Sequence, residues 1–295
     1  MMGSLTEVII CEPAGFCYGV RSAVEAALGA ASLAADGGRV YTYGDIVHNE
    51  AVLEELRGHG VMGAASAEGL AEGDTMIIRA HGIGPDERSR LAEGPFRLID
   101  ATCPHVRRIH VIAEEQSAAG RRVVIAGDAS HAEVRGIGGH CGGRAIVVDG
   151  PEEAERMGFI GGEGALVAQT TMDKERYAQI CDAMENKFDK AVIFDTICDA
   201  TSLRLSRARE LAKTCGCMVV VGGRDSSNTR KLFGACSAHC PATFHVGGTA
   251  ELRGVFRGMA GAVRGYGRIG IAAGTSTPMS ELVEMARFIK VFSNE

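Results

Sequence analysis

Apolar positions at helical spacing follow three widely separated cysteines. In GFCYGVRSAVEAAL they are Val20, Val24, Ala27 and Leu28, and in TICDATSLRLSRARELA they are Leu203, Leu205, Ala208, Leu211 and Ala212. ATCPHVRRIHVIAEEQ carries the middle cysteine. The pattern predicts a helix after each of Cys17, Cys103 and Cys198. Each sulfur then lies near a helix N-terminus, where backbone N–H groups favour a thiolate. Short apolar runs of strand length make a second pattern, ending in Gly with a polar residue four places later. These are VYTYGDIVH with Gly44 and His48, VVIAGDASH with Gly127 and His131, and VVVGGRDSS with Gly223 and Ser227. A third set ends on another polar side chain: IIRAH at His81, LVAQT at Thr170 and IAAGTS at Ser276.

The order cysteine, Gly-polar, polar therefore runs through the chain three times, with a period near 90 residues. That period is too long for a solenoid and suits three small α/β lobes related by a pseudo-threefold axis. The expected fold is α/β, a trefoil of lobes spanning 1–102, 103–196 and 197–295 around a central cavity. Ligand-binding groups gather at strand C-terminal ends in such folds, so all nine positions are expected to face that cavity.

Composition changes the picture only at its edges. A 295-residue chain with 46% apolar and 23% charged residues can bury a substantial core. A net charge of −6 argues against a general nucleic-acid binder. Arg204, Arg207 and Arg209 form a local basic stretch, read as a solvated helix face with docking of an acidic protein as the alternative. The N-terminus has neither an export signal nor a transit peptide pattern, and no apolar run reaches about 18 residues. A cytoplasmic location is expected, where ten cysteines serve as metal ligands or small buried hydrophobes rather than disulfides. Cys215 with Cys217, and Cys236 with Cys240, are spaced closely enough for zinc, but no matching pairs stand in the other lobes and ordinary burial is the better reading. Cys11, Cys141 and Cys181 read as structural. GIGGHCGG precedes a strand instead of joining a strand to a helix, so it is a weak signal for a nucleotide fingerprint.

Three thiolates leave two chemistries open. Zinc with an open position would serve a hydrolase, and an iron–sulfur cluster with three ligands would leave one iron free for substrate. The threefold relation suits three corners of a cubane. His48, His81, His131, Ser226, Ser227, Asn228 and Ser276 offer hydrogen-bond donors suited to a phosphate or diphosphate. Glu133 is the nearest carboxyl, read either as a cap of the following helix or as the acid of a proton relay with His131 and Thr170.

GFCYGVRSAVE, GDIVHNEAVLEELRGHGV, AHGIGP, DATCPHV, SHAEVRG, AQTT, DTICDAT, GGRDSSNTRKL and AGTSTP together resemble the LytB-type 4-hydroxy-3-methylbut-2-enyl diphosphate reductases over nearly the whole chain. The resemblance implies the last step of the methylerythritol phosphate pathway, reduction of the allylic alcohol diphosphate to isopentenyl and dimethylallyl diphosphates. It implies a [4Fe–4S] cluster on Cys17, Cys103 and Cys198 with one open iron. It also implies a substrate site of His48, His81, His131, Thr170, Ser226, Ser227, Asn228 and Ser276, and protonation by Glu133 with Thr170 and His131. Ferredoxin or flavodoxin is the implied electron donor, and a monomer or weak homodimer the expected state. A non-catalytic iron–sulfur sensor and a three-cysteine zinc hydrolase are the rival readings. Two positions depart from the family pattern. Ala132 stands where the family has Pro, which is expected to loosen the loop carrying Glu133. His105 replaces a non-titrating residue and is expected to face solvent.

Overall fold

The computed structural model describes residues 6–34, 37–263 and 265–294. Among these the strands are β1 (Glu7–Ile10), β2 (Val40–Tyr43), β3 (Val61–Ala64), β4 (Thr75–Ile78), β5 (Arg97–Asp100), β6 (Arg122–Ala126), β7 (Ile146–Val148), β8 (Glu163–Ala168), β9 (Lys190–Ile193), β10 (Cys217–Val221), β11 (Thr243–Val246) and β12 (Arg268–Ala273). The helices are α1 (Tyr18–Leu33), α2 (Glu50–Gly58), α3 (Pro85–Ala92), α4 (Pro104–Ala118), α5 (Ala132–His140), α6 (Pro151–Arg156), α7 (Lys174–Glu185), α8 (Asp199–Ala212), α9 (Ser227–Ser237), α10 (Thr249–Gly258), α11 (Ala260–Val263) and α12 (Met279–Asn294). None of these helices is long and apolar enough to cross a membrane.

The described strands form three four-stranded sheets, ordered β3-β2-β4-β5, β7-β6-β8-β9 and β11-β10-β12-β1. Every pairing is parallel. The central strands read as continuous apolar runs because helices cover both faces. In β10, Val219 and Val221 pack on one side with Phe256, Ile271 and Ile289, while Met218 and Val220 pack on the other with Leu232 and Leu205. In the β6 sheet, Leu166 meets Ile180, Met184 and Phe188 on one face, and Val167 meets Ile109 and Ile137 on the other. Each such side chain contributes roughly 1.5–3 kcal/mol on burial.

One order recurs in all three sheets. A central strand leads to the Gly-polar turn, the other central strand leads to the second polar turn, and the edge strand beside it leads to a cysteine. The boundaries at 102/103 and 196/197 fall between sheets, but β1 and the three cysteines group with other lobes than those read along the chain. Cys103 follows β5, in the sheet whose central strands lead to His48 and His81, and Cys198 follows β9, beside the strands leading to His131 and Thr170. Cys17 follows β1, which pairs with β12 from Glu7 opposite Arg268 to Ile10 opposite Ile271, so it belongs with Ser227 and Ser276. The physical reason is the free edge of β12. Among the described residues no strand follows β12, and β1 satisfies its backbone groups instead.

The chain condenses into two compact units. One comprises the residues up to Arg21, Val47–Gly58 and those from Asp199 onward, with the β10 sheet. The other comprises Ser22–Ile46 and His59–Cys198, with the β2 and β6 sheets.

Candidate functional site

The unit built on the β2 and β6 sheets gathers six of the expected residues. Cys103 caps α4, with Pro104 at the first helical position, where its missing N–H costs nothing. The Cys103 amide donates to the Ala80 carbonyl at 3.0 Å, beside His81, and the Cys198 amide donates to the Thr170 carbonyl at 2.9 Å. His81 meets His131 edge-on, with ring centroids 5.2 Å apart. His131 caps α5, its Nδ1 accepting the Glu133 amide at 3.2 Å. Ala132 takes the first helical position, as a good helix former does, so the missing Pro leaves the cap in place. Glu133 is 2% exposed. Its Oε1 accepts from the Thr170 amide at 2.6 Å and its Oε2 from the Thr170 hydroxyl at 2.8 Å. Glu133 is therefore both a residue of the first helical turn and a buried carboxyl aligned with a hydroxyl.

The other unit gathers the remaining set. Its Cys17 amide donates to the Thr275 carbonyl at 3.2 Å, next to Ser276. Ser226 caps α9, its side chain accepting the Thr229 amide at 3.3 Å, so Ser227 and Asn228 occupy the first turn, where the helix favours an anion. Asn228 Nδ2 and Ser276 Oγ are buried with no hydrogen-bond partner among the described residues. A buried donor left unpaired costs about 1–3 kcal/mol, so either could donate to a bound acceptor. His48 lies on the same unit, where its carbonyl comes so near Gly223 that a Cβ there would sit 2.0 Å from the oxygen.

The three cysteine amides make the same bond at the same place in each sheet. The turns that follow also match: the amides of Gly82, Met172 and Thr277 donate to Arg79, Gln169 and Gly274. By this register the partner of His81 and Ser276 is Thr171, and Thr170 aligns with Ala80 and Thr275. The linear reading was one residue short because Thr170 and Thr171 are chemically alike.

Two buried residues beside these loops hold them in ways the sequence pattern does not express. Asn49 is buried, donates from Nδ2 to the Ser276 carbonyl at 2.9 Å, and accepts the amides of Ala51 and Val52 with Oδ1. Its signal was an Asn one residue ahead of an apolar-periodic segment, an N-cap pattern. Arg204, read as part of a solvated face, is 4% exposed and donates to the carbonyls of Gly15 at 2.6 Å and Ala273 at 3.3 Å. It ties the loop before Cys17 to the loop before Ser276 and is not available to dock a partner. Arg207 is exposed on α8, and His105 is exposed on α4 as expected.

No disulfide joins any two of the ten cysteines. Burial pushes the thiols of Cys11, Cys141 and Cys181 up to about 11 and those of Cys217 and Cys236 up to about 12, which keeps them protonated and poor ligands. No three of Cys11, Cys215, Cys217, Cys236 and Cys240 bring their sulfurs within 4.8 Å of one another, which fits burial better than a zinc site.

Sheets and residues together define an α/β protein whose thiols and anion-binding donors stand at the C-terminal ends of parallel strands. The LytB protein family model matches residues 8–290, and the chain belongs to that family. It is 37% identical over 291 residues to the 4-hydroxy-3-methylbut-2-enyl diphosphate reductase of Caldanaerobacter subterraneus subsp. tengcongensis, covering 98% of each chain. The enzyme of the same name from Aquifex aeolicus is 36% identical over 283 residues, covering 93% of this chain and 92% of that one. A solved structure of (E)-4-hydroxy-3-methyl-but-2-enyl diphosphate reductase, the terminal enzyme of the non-mevalonate pathway, superposes with a TM-score of 0.69 at 34% identity, covering 97% of this chain and all of that one. The Plasmodium falciparum E-1-hydroxy-2-methyl-but-2-enyl-4-diphosphate reductase shares the fold, with a TM-score of 0.86 at 24% identity, covering 96% of this chain and 88% of that one.

Proposed function

We propose that this chain reduces (E)-4-hydroxy-3-methylbut-2-enyl diphosphate to isopentenyl and dimethylallyl diphosphates, closing the methylerythritol phosphate route. The allylic C–O bond breaks, two electrons and two protons enter, and the oxygen leaves as water. The observation that carries the reading is the buried Glu133 carboxyl, bonded twice to Thr170 beside Cys198. A sensor or a scaffold has no use for it.

The cysteines present fit an iron–sulfur group. Cys17, Cys103 and Cys198 are half-buried and set at helix starts. These three would hold a [4Fe–4S] cluster with one open iron. Such a cluster supplies electrons and a Lewis-acidic iron when bound. The remaining work belongs to side chains. Asn228 and Ser276, with His48, His81, His131, Ser226 and Ser227, hold the diphosphate and orient the alcohol. Thr170 is also a substrate contact, and its hydroxyl relays a proton from Glu133 to the leaving oxygen, because hydroxide is a poor leaving group. Exclusion of water by the buried setting of Glu133 strengthens each hydrogen bond. Ferredoxin or flavodoxin provides electrons, and the enzyme works in the cytoplasm as a monomer or weak homodimer. The lobes of the linear reading act as three donors of one cysteine each.

The test is anaerobic turnover. Cluster-reconstituted protein, given the hydroxymethylbutenyl diphosphate and a reduced viologen, is expected to yield both isoprenyl diphosphates. Glu133→Gln is expected to lose on the order of 10²-fold or more in kcat while keeping its iron and sulfide. An intact cluster without product would favour a sensor, and zinc without iron would favour a hydrolase.

A further inference from the structure

We infer that His110 is a positioning residue for His81. The inference rests on the reductase reading, in which His81 holds the diphosphate. His110 lies on α4, seven residues past Cys103, and is 6% exposed. Its ring stacks on His140 of α5 at 4.2 Å and 25°. The opposite edge presses under the turn carrying His81. A Cβ on Gly82 would lie 2.5 Å from His110 Cε1, and one on Gly136 would lie 3.4 Å from His110 Nε2. The ring leaves no room for a Cβ on Gly82, while a Cβ on Gly136 would be in ordinary van der Waals contact with it. Gly82 also adopts φ +68, and its amide closes the turn on Arg79 at 3.0 Å.

A single ring therefore touches both parts of the arrangement. Gly82 follows His81 directly, and Gly136 stands on the helix that His131 caps and whose first turn holds Glu133. His81 and His131 meet edge-on, so a shift in either backbone alters their meeting. His110 Nε2 has no hydrogen-bond partner among the described residues, so the ring supports the turn by its shape rather than by a hydrogen bond from that atom. Burial, helped by His140 and Arg107, brings the imidazole down to about 4 against the opposing pull of Asp100, so it stays neutral at physiological pH. On its outer side a cavity of about 310 Å³, shared with Arg88, Asp100, Arg107, Glu114 and His140, gives a smaller side chain nothing to pack against. Removing the ring leaves the turn unsupported from below.

The experiment uses the full cluster-loaded chain and inorganic diphosphate as the probe. His110→Ala is expected to weaken diphosphate binding in calorimetry, and to raise KM, by about tenfold, with kcat within about threefold of wild type. Amide exchange across residues 79–84 is expected to speed up while exchange in β10 and β12 stays unchanged. His110→Leu, which keeps most of the bulk, is expected to fall between. If His110→Ala does not fold, His110→Leu is read by the same measurements. Wild-type diphosphate affinity together with wild-type exchange at 79–84 would overturn the inference. A wild-type protein that neither binds diphosphate nor turns over substrate would sink the reductase reading, and the exchange data would still decide whether His110 holds the turn.

Discussion

Asn228 and Ser276 show what a single residue contributes here. Both are 4% exposed, with donors that have no partner among the described residues. Leaving a donor unpaired costs stability that a bound acceptor returns, and a charged acceptor makes each bond worth about 1.5–3 kcal/mol. Asn228→Ala and Ser276→Ala are therefore each expected to raise KM for the diphosphate roughly 10- to 100-fold, with a smaller effect on kcat. Because the lost groups were unpaired, neither change is expected to lower the melting temperature. Steady-state kinetics and a thermal melt check both halves, and a large loss of kcat with unchanged KM would contradict the assignment. Glu133 is the opposite case, a buried carboxyl already satisfied by Thr170. Its residue type, its distance of two from His131 and, through the repeat, its pairing with Thr170 were legible in the chain, but the two hydrogen bonds across 37 positions were not.

At the scale of elements, the helix starts do most of the positioning. Cys103, His131 and Ser226 are all N-caps, so three expected site residues were visible as boundaries between a strand run and a helical period. The turn after β10 adds a demand the local pattern does not express. Gly223 is required by the His48 carbonyl, which a Cβ would meet at 2.0 Å. Gly223→Ala is expected to cost about 1–3 kcal/mol of stability and to raise KM by displacing His48. Gly29, inside α1 with nothing near its missing Cβ, supplies the control. Gly29→Ala is expected to gain about 0.5–1 kcal/mol, and urea unfolding of the two variants separates close packing from backbone entropy.

For the whole molecule, one buried imidazole ties stability to pH. His110 has its value brought down to about 4, first by burial and then by the nearby charge of His140, whereas an unfolded histidine titrates near about 6.5. Between those values the unfolded chain binds the extra proton, so this contribution is complete above about pH 6.5 and is lost as pH falls towards 4. The fall amounts to about 3 kcal/mol. Urea midpoints measured from pH 7 to 4 are expected to drop accordingly, and His110→Leu is expected to flatten that slope; an unchanged slope would contradict it. The groups facing this ring come from three elements besides its own: His140 on α5, Asp100 at the end of β5 and Arg88 on α3, with Arg107 and Glu114 on α4. None of this was legible in RRIHVIAEEQ, where His110 reads as one more position on a helix. What the chain determined by itself was periodic and local: the strand and helix periods, the N-caps, and a threefold order of cysteine and polar positions, because each is set by neighbours within a few residues. What only the tertiary structure decided was non-local. β1 closes the open edge of β12, which moves Cys17 to the third sheet. Arg204 turns inward onto two carbonyls, and His110 fits beneath Gly82. Those outcomes depend on which backbone groups and which spaces remain unfilled once the sheets have formed, and a local pattern of apolar and polar residues carries no record of them.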